Sequence, residues 1–247
     1  PARLRFAPCT CHFCGATGSM KKPSTRPEAQ AADIALLLEG TFPYVSGGVS
    51  SWINQIIRAY PEYRFAIVFL GSRREDYGEF RYPLPDNVVH FEEHYLYAPI
   101  HWHQQPAPRK GSERGEALAL RLIDAFSEGM DSPRAMDAFR EAALELQPGG
   151  ALRLEDFLYS QSAWNIICDI YRKHCADPSF VDFFWTVRIM YQPLWMLARV
   201  AHELIPVRAV HCASTGYAGF LGGLMAQTRG TPLILSKHGI YTKERKI

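Results

Sequence analysis

The sequence predicts an α/β domain built on an open, mainly parallel sheet, with helices on both faces and a helical insertion. Three observations carry this expectation. Short apolar segments of strand length occur near the start and again near the end of the chain, a glycine loop and an amphipathic helix separate the first two, and purely helical periodicity fills the middle.

Residues 1–32 are rich in Pro, Ala, Lys, Arg and Thr without periodicity and read as a disordered leader or linker, with Met20 as an alternative start. Residues 33–247 read as one domain. Asp33 to Glu39 is a continuously apolar run between two acids, the signature of a strand covered on both faces. After the loop Gly40 to Gly48, apolar residues at Val49, Trp52, Ile53, Ile56, Ile57 and Tyr60 follow the three-and-four spacing of a helix stopped by Pro61. Arg64 to Leu70 is a second buried strand, and Asn87 to Glu93 a third, entered through a turn at Asp86-Asn87.

From about residue 112 to 205 only helical spacing is found, and this block is expected to pack on the sheet as an insertion. Ser132-Pro133 is a cap and first-turn pair, and Pro148-Gly149-Gly150 a stop. Leu154, Phe157, Trp164, Cys168 and Tyr171 are expected on one helix; Asp177-Pro178 opens an aromatic-rich segment that Pro193 should kink or break, and the aromatic stripe of the block reads as core in preference to a ligand platform. Val207 to Cys212 and Pro232 to Ser236 restore the strand pattern, around a Gly- and Ala-rich helix from Thr215 to Gln227. The last residues, Lys237 to Ile247, lie where a strand would exit toward a ligand crevice, and the expectation is that a partner domain across that crevice is absent.

Bulk properties narrow the function classes. With 47% hydrophobic residues in 247, the chain can bury a sizeable core. Its 27 basic and 25 acidic residues are dispersed and nearly cancel, so nucleic acid is not an expected partner. No apolar run approaches the ~20 residues of a membrane span and no signal peptide is visible, so the expectation is a cytoplasmic protein with no membrane span. Cys168, Cys175 and Cys212 read as reduced thiols. Cys9, Cys11, His12 and Cys14 offer four soft ligands in six residues, but structural zinc usually draws on two separated knuckles; a disordered tail is the preferred reading, and no metal is expected.

Ser46-Gly47-Gly48-Val49-Ser50 follows the first strand and opens a helix. Glycines permit positive φ and close approach, and free amides at a helix start favour an anion, so the stretch reads either as a phosphate site or as an ordinary βα turn. Neither a dinucleotide nor a P-loop fingerprint is present, and no Gly-x-Ser-x-Gly elbow supports a serine hydrolase. His238-Gly239, at the end of the last strand, is placed to meet a sugar hydroxyl, with Tyr241, Lys243 and Arg245 nearby to offset phosphate charge; a structural histidine and a solvated charged loop are the alternatives. His211, also near a strand end, reads as a satisfied buried histidine.

Taken together, Leu38 to Trp52 and His238 to Lys246 resemble the two most characteristic stretches of the PelF-type glycosyltransferases of Pel exopolysaccharide synthesis. Val68 to Ser72 and Ser214 to Gly219 add to the likeness. The resemblance implies a Rossmann-like N-terminal half of a GT-B fold, in retaining glycosyltransferase family 4. It implies transfer of a hexosyl unit from a UDP-sugar donor to a growing glycan acceptor, with UDP-sugar as substrate and no cofactor. It further implies that the glycine loop Gly47-Gly48 and the strand-end His238 meet acceptor and donor sugar, that catalytic residues belong to a second domain, and that membrane-associated Pel synthase components are partners; Ser46, Val49, Ser50, Gly239, Tyr241, Lys243 and Arg245 complete the expected substrate-binding set by their positions. A non-catalytic phosphosugar-binding module or a scaffold subunit are the rival readings.

Overall fold

The computed structural model describes residues 31–97, 109–128, 132–174 and 179–236. The elements run β1 (Ala32–Glu39), α1 (Gly48–Ala59), β2 (Phe65–Gly71), β3 (Val88–Tyr95), α2 (Glu113–Glu128), α3 (Pro133–Glu145), α4 (Leu154–Tyr159), α5 (Gln161–His174), α6 (Phe180–Tyr191), α7 (Pro193–Glu203), β4 (Val207–Cys212), α8 (Tyr217–Arg229) and β5 (Leu233–Leu235). The five strands form a single parallel sheet in the order β3-β2-β1-β4-β5.

Alternation along β1 explains why the run between Asp33 and Glu39 is apolar throughout. Ala35 and Leu37 point to one core, shared with α7 and α8, while Leu36 and Leu38 point to the other, under α1. All four are fully buried, because a central parallel strand has no solvent face. Helices therefore cover both faces, as the apolar runs predict.

α1 ends where Asn87 reaches back from the start of β3. Its side-chain amide donates to the carbonyls of Ile57, Tyr60 and Tyr63 at 2.9, 3.2 and 3.2 Å, tying the last turn of α1 and the turn after it to the entry of β3. On the opposite face, Gly222 of α8 lets the helix settle onto β4 and β5: a methyl group there would lie 2.5 Å from Cys212 Sγ and 2.8 Å from Leu233 Cδ1.

Within the helical block, Ser132 caps α3 through its hydroxyl, 3.1 Å from the amide of Ala135, and the chain breaks between α6 and α7 at Pro193, both as expected. Two expectations are corrected. The helix expected across Leu154 to Tyr171 is two helices, divided at Ser160, whose backbone is extended. Its hydroxyl accepts from the Ala163 amide at 3.1 Å and its neighbours pair with Arg109, so a local cap and a bridge displace continuous helical bonding.

The aromatic stripe of α6 is also not a sealed core. None of its residues is fully buried, and Val181, Trp185 and Ile189, spaced by four, are 63, 45 and 52% exposed. Apart from Asp182, Thr186 and Arg188 the helix is apolar, whereas α5 and α7 cover only part of its circumference. The expected opening at Asp177-Pro178 lies outside the described residues; Ser179 supplies the cap, accepting from the Asp182 amide at 3.3 Å.

Candidate functional site at the carboxyl rim of the sheet

β1 lies between β2 and β4, and the chain leaves β1 and β4 toward opposite faces, to α1 and α8. The carboxyl ends of these two strands therefore frame the crevice in which open parallel sheets bind ligands.

On one side stands the loop from Gly40 to Gly47. The amides of Tyr44 and Val45 both bond the Thr41 carbonyl, at 3.1 and 3.0 Å, folding the loop into a tight turn. Ser46, Gly47 and Gly48 are exposed, Val49 is half-buried, and Ser50 is buried at 1% exposure. Among the described residues no side chain caps α1, and a Cβ on Gly47 or Gly48 would meet nothing beyond its own chain neighbours within 4 Å, so the first-turn amides have no side-chain partner there. The positive φ anticipated for this glycine pair is instead taken by Gly40, at φ 62°; Gly47, at φ 169°, is simply extended. The bend is made at the start of the loop, leaving its end free. Ser50 contributes its amide to this helix start while its hydroxyl side chain is packed away from solvent.

Across the crevice the start of α8 is already filled. Glu39, the last residue of β1, accepts from the Ala218 amide at 3.2 Å and from the Ser214 hydroxyl at 3.4 Å. Gly216 makes room for it, since a Cβ there would stand 2.5 Å from Glu39 Oε2. An internal carboxylate thus neutralises one helix dipole of the crevice while the dipole of α1 stays open. Sequence reasoning missed this role; the available signal was an acid ending a buried strand.

His211 on β4 connects the two sides. Its Nε2 lies 2.8 Å from Ser236 Oγ, and its ring meets Trp52 of α1 edge-on at 5.6 Å, in keeping with a satisfied structural histidine. Ser236, whose amide donates to the Cys212 carbonyl at 2.9 Å, stands on the same rim as the glycine turn.

A second feature missed by sequence reasoning lies at the outer edge of this rim. Tyr44 of the glycine loop donates to Glu93 of β3, which also receives Arg74, and Arg74 reaches the Tyr95 hydroxyl at 3.2 Å. Burial tends to raise the Glu93 carboxyl, but the Tyr44 and Arg74 hydrogen bonds outweigh it and hold it below its usual range. Burial and then the Glu93 partnership push the Tyr44 phenol upward. Phe80 stands edge-on to both Tyr44 and Phe91, at 5.0 and 5.3 Å, completing an open hollow of about 780 Å³. On the other face of β3, Glu92 sits between His90 and His94, at 3.1 and 3.2 Å; burial pushes its carboxyl up, yet the two imidazoles leave it net lowered.

The family model for the domain of unknown function DUF3492 matches residues 32–247. The chain belongs to the DUF3492 family. This domain is found in glycosyltransferase-like proteins. No curated protein and no solved structure gave a match.

For this DUF3492 chain, His238, Gly239, Tyr241, Lys243 and Arg245 lie outside the described residues, as does the cluster of Cys9, Cys11, His12 and Cys14. Among the described residues, no group of three or more His, Cys, Asp or Glu side chains is arranged to hold a metal ion. No described helix is long and apolar enough to cross a membrane.

Proposed function

We propose that this chain is the acceptor-side domain of a retaining glycosyltransferase that moves a hexosyl unit from a UDP-sugar onto a growing exopolysaccharide, as in the PelF-type enzymes. The observation that supports this reading is the open start of α1: three exposed residues, Ser46, Gly47 and Gly48, at the sheet's switch point, with no side chain among the described residues capping the first-turn amides. Departure of UDP builds negative charge, and preoriented amides at a helix start stabilise such charge without reorganising. The plugging of α8 by Glu39 directs that charge to α1, since a phosphate beside a carboxylate is repelled.

In this reading the uridine and pyrophosphate are held mainly by a second domain, and the chain alone binds without turnover. His238 and the cations Lys243 and Arg245 are its proposed contacts to the donor. Titration with UDP and UDP-hexoses, followed by amide NMR, tests the assignment. Shifts are expected at residues 46–50; unmoved amides there at saturating ligand would remove its support.

A scaffold role in a synthase assembly is the second reading, favoured by the apolar side of α6 that bears Val181, Trp185 and Ile189. Binding to synthase components that survives loss of the glycine turn but not polar substitution of Trp185 would favour it.

A further inference from the structure

The hollow at the β3 edge has features that the transfer step leaves unused. It is built on the same rim as the glycine turn, because Tyr44 belongs to the loop after β1, Arg74 and Phe80 to the connection after β2, and Glu93 to β3 itself. The loop carrying Phe80 is tied to the glycine loop, with the amides of Arg81 and Tyr82 donating to the Pro43 carbonyl at 2.9 and 3.3 Å. The polar groups are preoriented: Glu93 is fixed from two sides, and the remaining donors of Arg74, a side chain 71% exposed, project to solvent.

The chemistry of the lining selects a ligand class. Phe80 presents an exposed ring, 42% accessible, beside Tyr44. The electron-rich face of such a ring attracts weakly positive C–H groups, which one side of a pyranose supplies in a row. Planar carboxylate and guanidinium groups then pair with adjacent hydroxyls. Glu93 already partners Arg74, the one guanidinium of the lining, and Glu79 adds a further acid to it, so a phosphate or uronic acid is disfavoured. Position matters as well. β3 is separated from β1 by one strand, so the edge that carries the hollow lies roughly 10 Å from β1, at two strand spacings of about 4.8 Å, with the switch point beyond it.

We propose that this hollow is a holding subsite for an uncharged sugar ring of the glycan, remote from the ring that reacts. The assignment rests on the glycosyl-transfer reading for its choice of a glycan. A ligand long enough to span both positions gains contacts at each, whereas a single ring gains them at only one, so affinity should rise with chain length.

The test is ligand-observed NMR and calorimetry with neutral oligosaccharides of one to five units, built from glucose, galactose and their N-acetylated forms, on the chain and on Phe80→Ala and Arg74→Gln. Both side chains are exposed, and circular dichroism verifies that each variant folds. At least one series should tighten about tenfold or more between one and five units, and both variants should remove that gain while leaving the single sugar unaffected. Binding that is independent of length, or equal in Phe80→Ala, overturns the proposal, as does the absence of oligosaccharide binding. UDP titrations separate the two readings. UDP shifts at residues 46–50 without oligosaccharide binding leave the transfer reading standing and the subsite refuted; length-dependent binding sensitive to Phe80 without any UDP effect does the reverse.

Discussion

The carboxylate of Glu39 lies 3.2 Å from the Ala218 amide and fills the space that a side chain on Gly216 would take. A strand end and a helix start, 179 positions apart in the chain, are thereby locked together at the crevice. Glu39→Ala should lower stability by about 0.5–2 kcal/mol, the usual cost of losing a helix cap. Gly216→Ala should cost a similar amount by pushing the carboxylate off the amide. The double variant should be little worse than either alone, because both remove one interaction; additive losses in urea melts would refute the shared cause.

Gly47→Asp separates stability from binding at the opposite helix. The backbone there is extended and surrounded by open space, so aspartate fits and supplies both a cap and a favourable charge for α1. Stability should rise by about 0.5–1 kcal/mol. The same carboxylate occupies the proposed anion position, so UDP-induced shifts at residues 46–50 should vanish. A variant that melts higher yet still responds to UDP would show that the amides are not the ligand site.

Gly222 and Gly223 are neighbours on α8 with opposite expectations. Alanine at 222 would drive a methyl into Cys212 and Leu233, and should destabilise by about 1–3 kcal/mol despite its better helix propensity. Alanine at 223 meets Phe139 at an ordinary 3.6 Å, and should be neutral or stabilising by up to about 1 kcal/mol. Thermal melts of the two variants check the pair.

The Tyr44–Glu93 pair should be visible in titrations. Because the folded Glu93 carboxyl is lowered, its contribution to stability is present above the unfolded carboxylate range and lost as pH falls through the folded value. Glu93→Gln should therefore flatten the acid limb of the stability curve. The Tyr44 phenol is raised, so its contribution is present up to the ordinary tyrosine range and lost as pH rises through the folded value. Tyr44→Phe should remove one late-ionising phenol from the ultraviolet titration; Tyr217, also raised by burial, should remain.

The sheet was legible in the sequence because a central parallel strand must be apolar on both faces, and Asp33 to Leu70 carries that pattern twice around a helix of clear three-and-four spacing. The exposed glycine turn was legible for the same local reason. Ser160 shows where local reading stops: apolar spacing continues through it, and only its pairing with Arg109 and its hydroxyl bond to the Ala163 amide decide that two helices form. The exposed side of α6 shows a second limit, since composition predicts burial but not which neighbours exist to provide it.

The sequence by itself determined the strands, the Ser132 cap of α3 and the turn that opens α1, because these follow from residue spacing and backbone preference over a few positions. Tertiary structure alone decided that Glu39 plugs α8, that Tyr44 meets Glu93 across 49 positions, and that Phe80 closes the hollow beside them. Those contacts depend on strand order, which brings the ends of β1, β2 and β3 to one rim, and strand order is set by how all the apolar faces are buried at once.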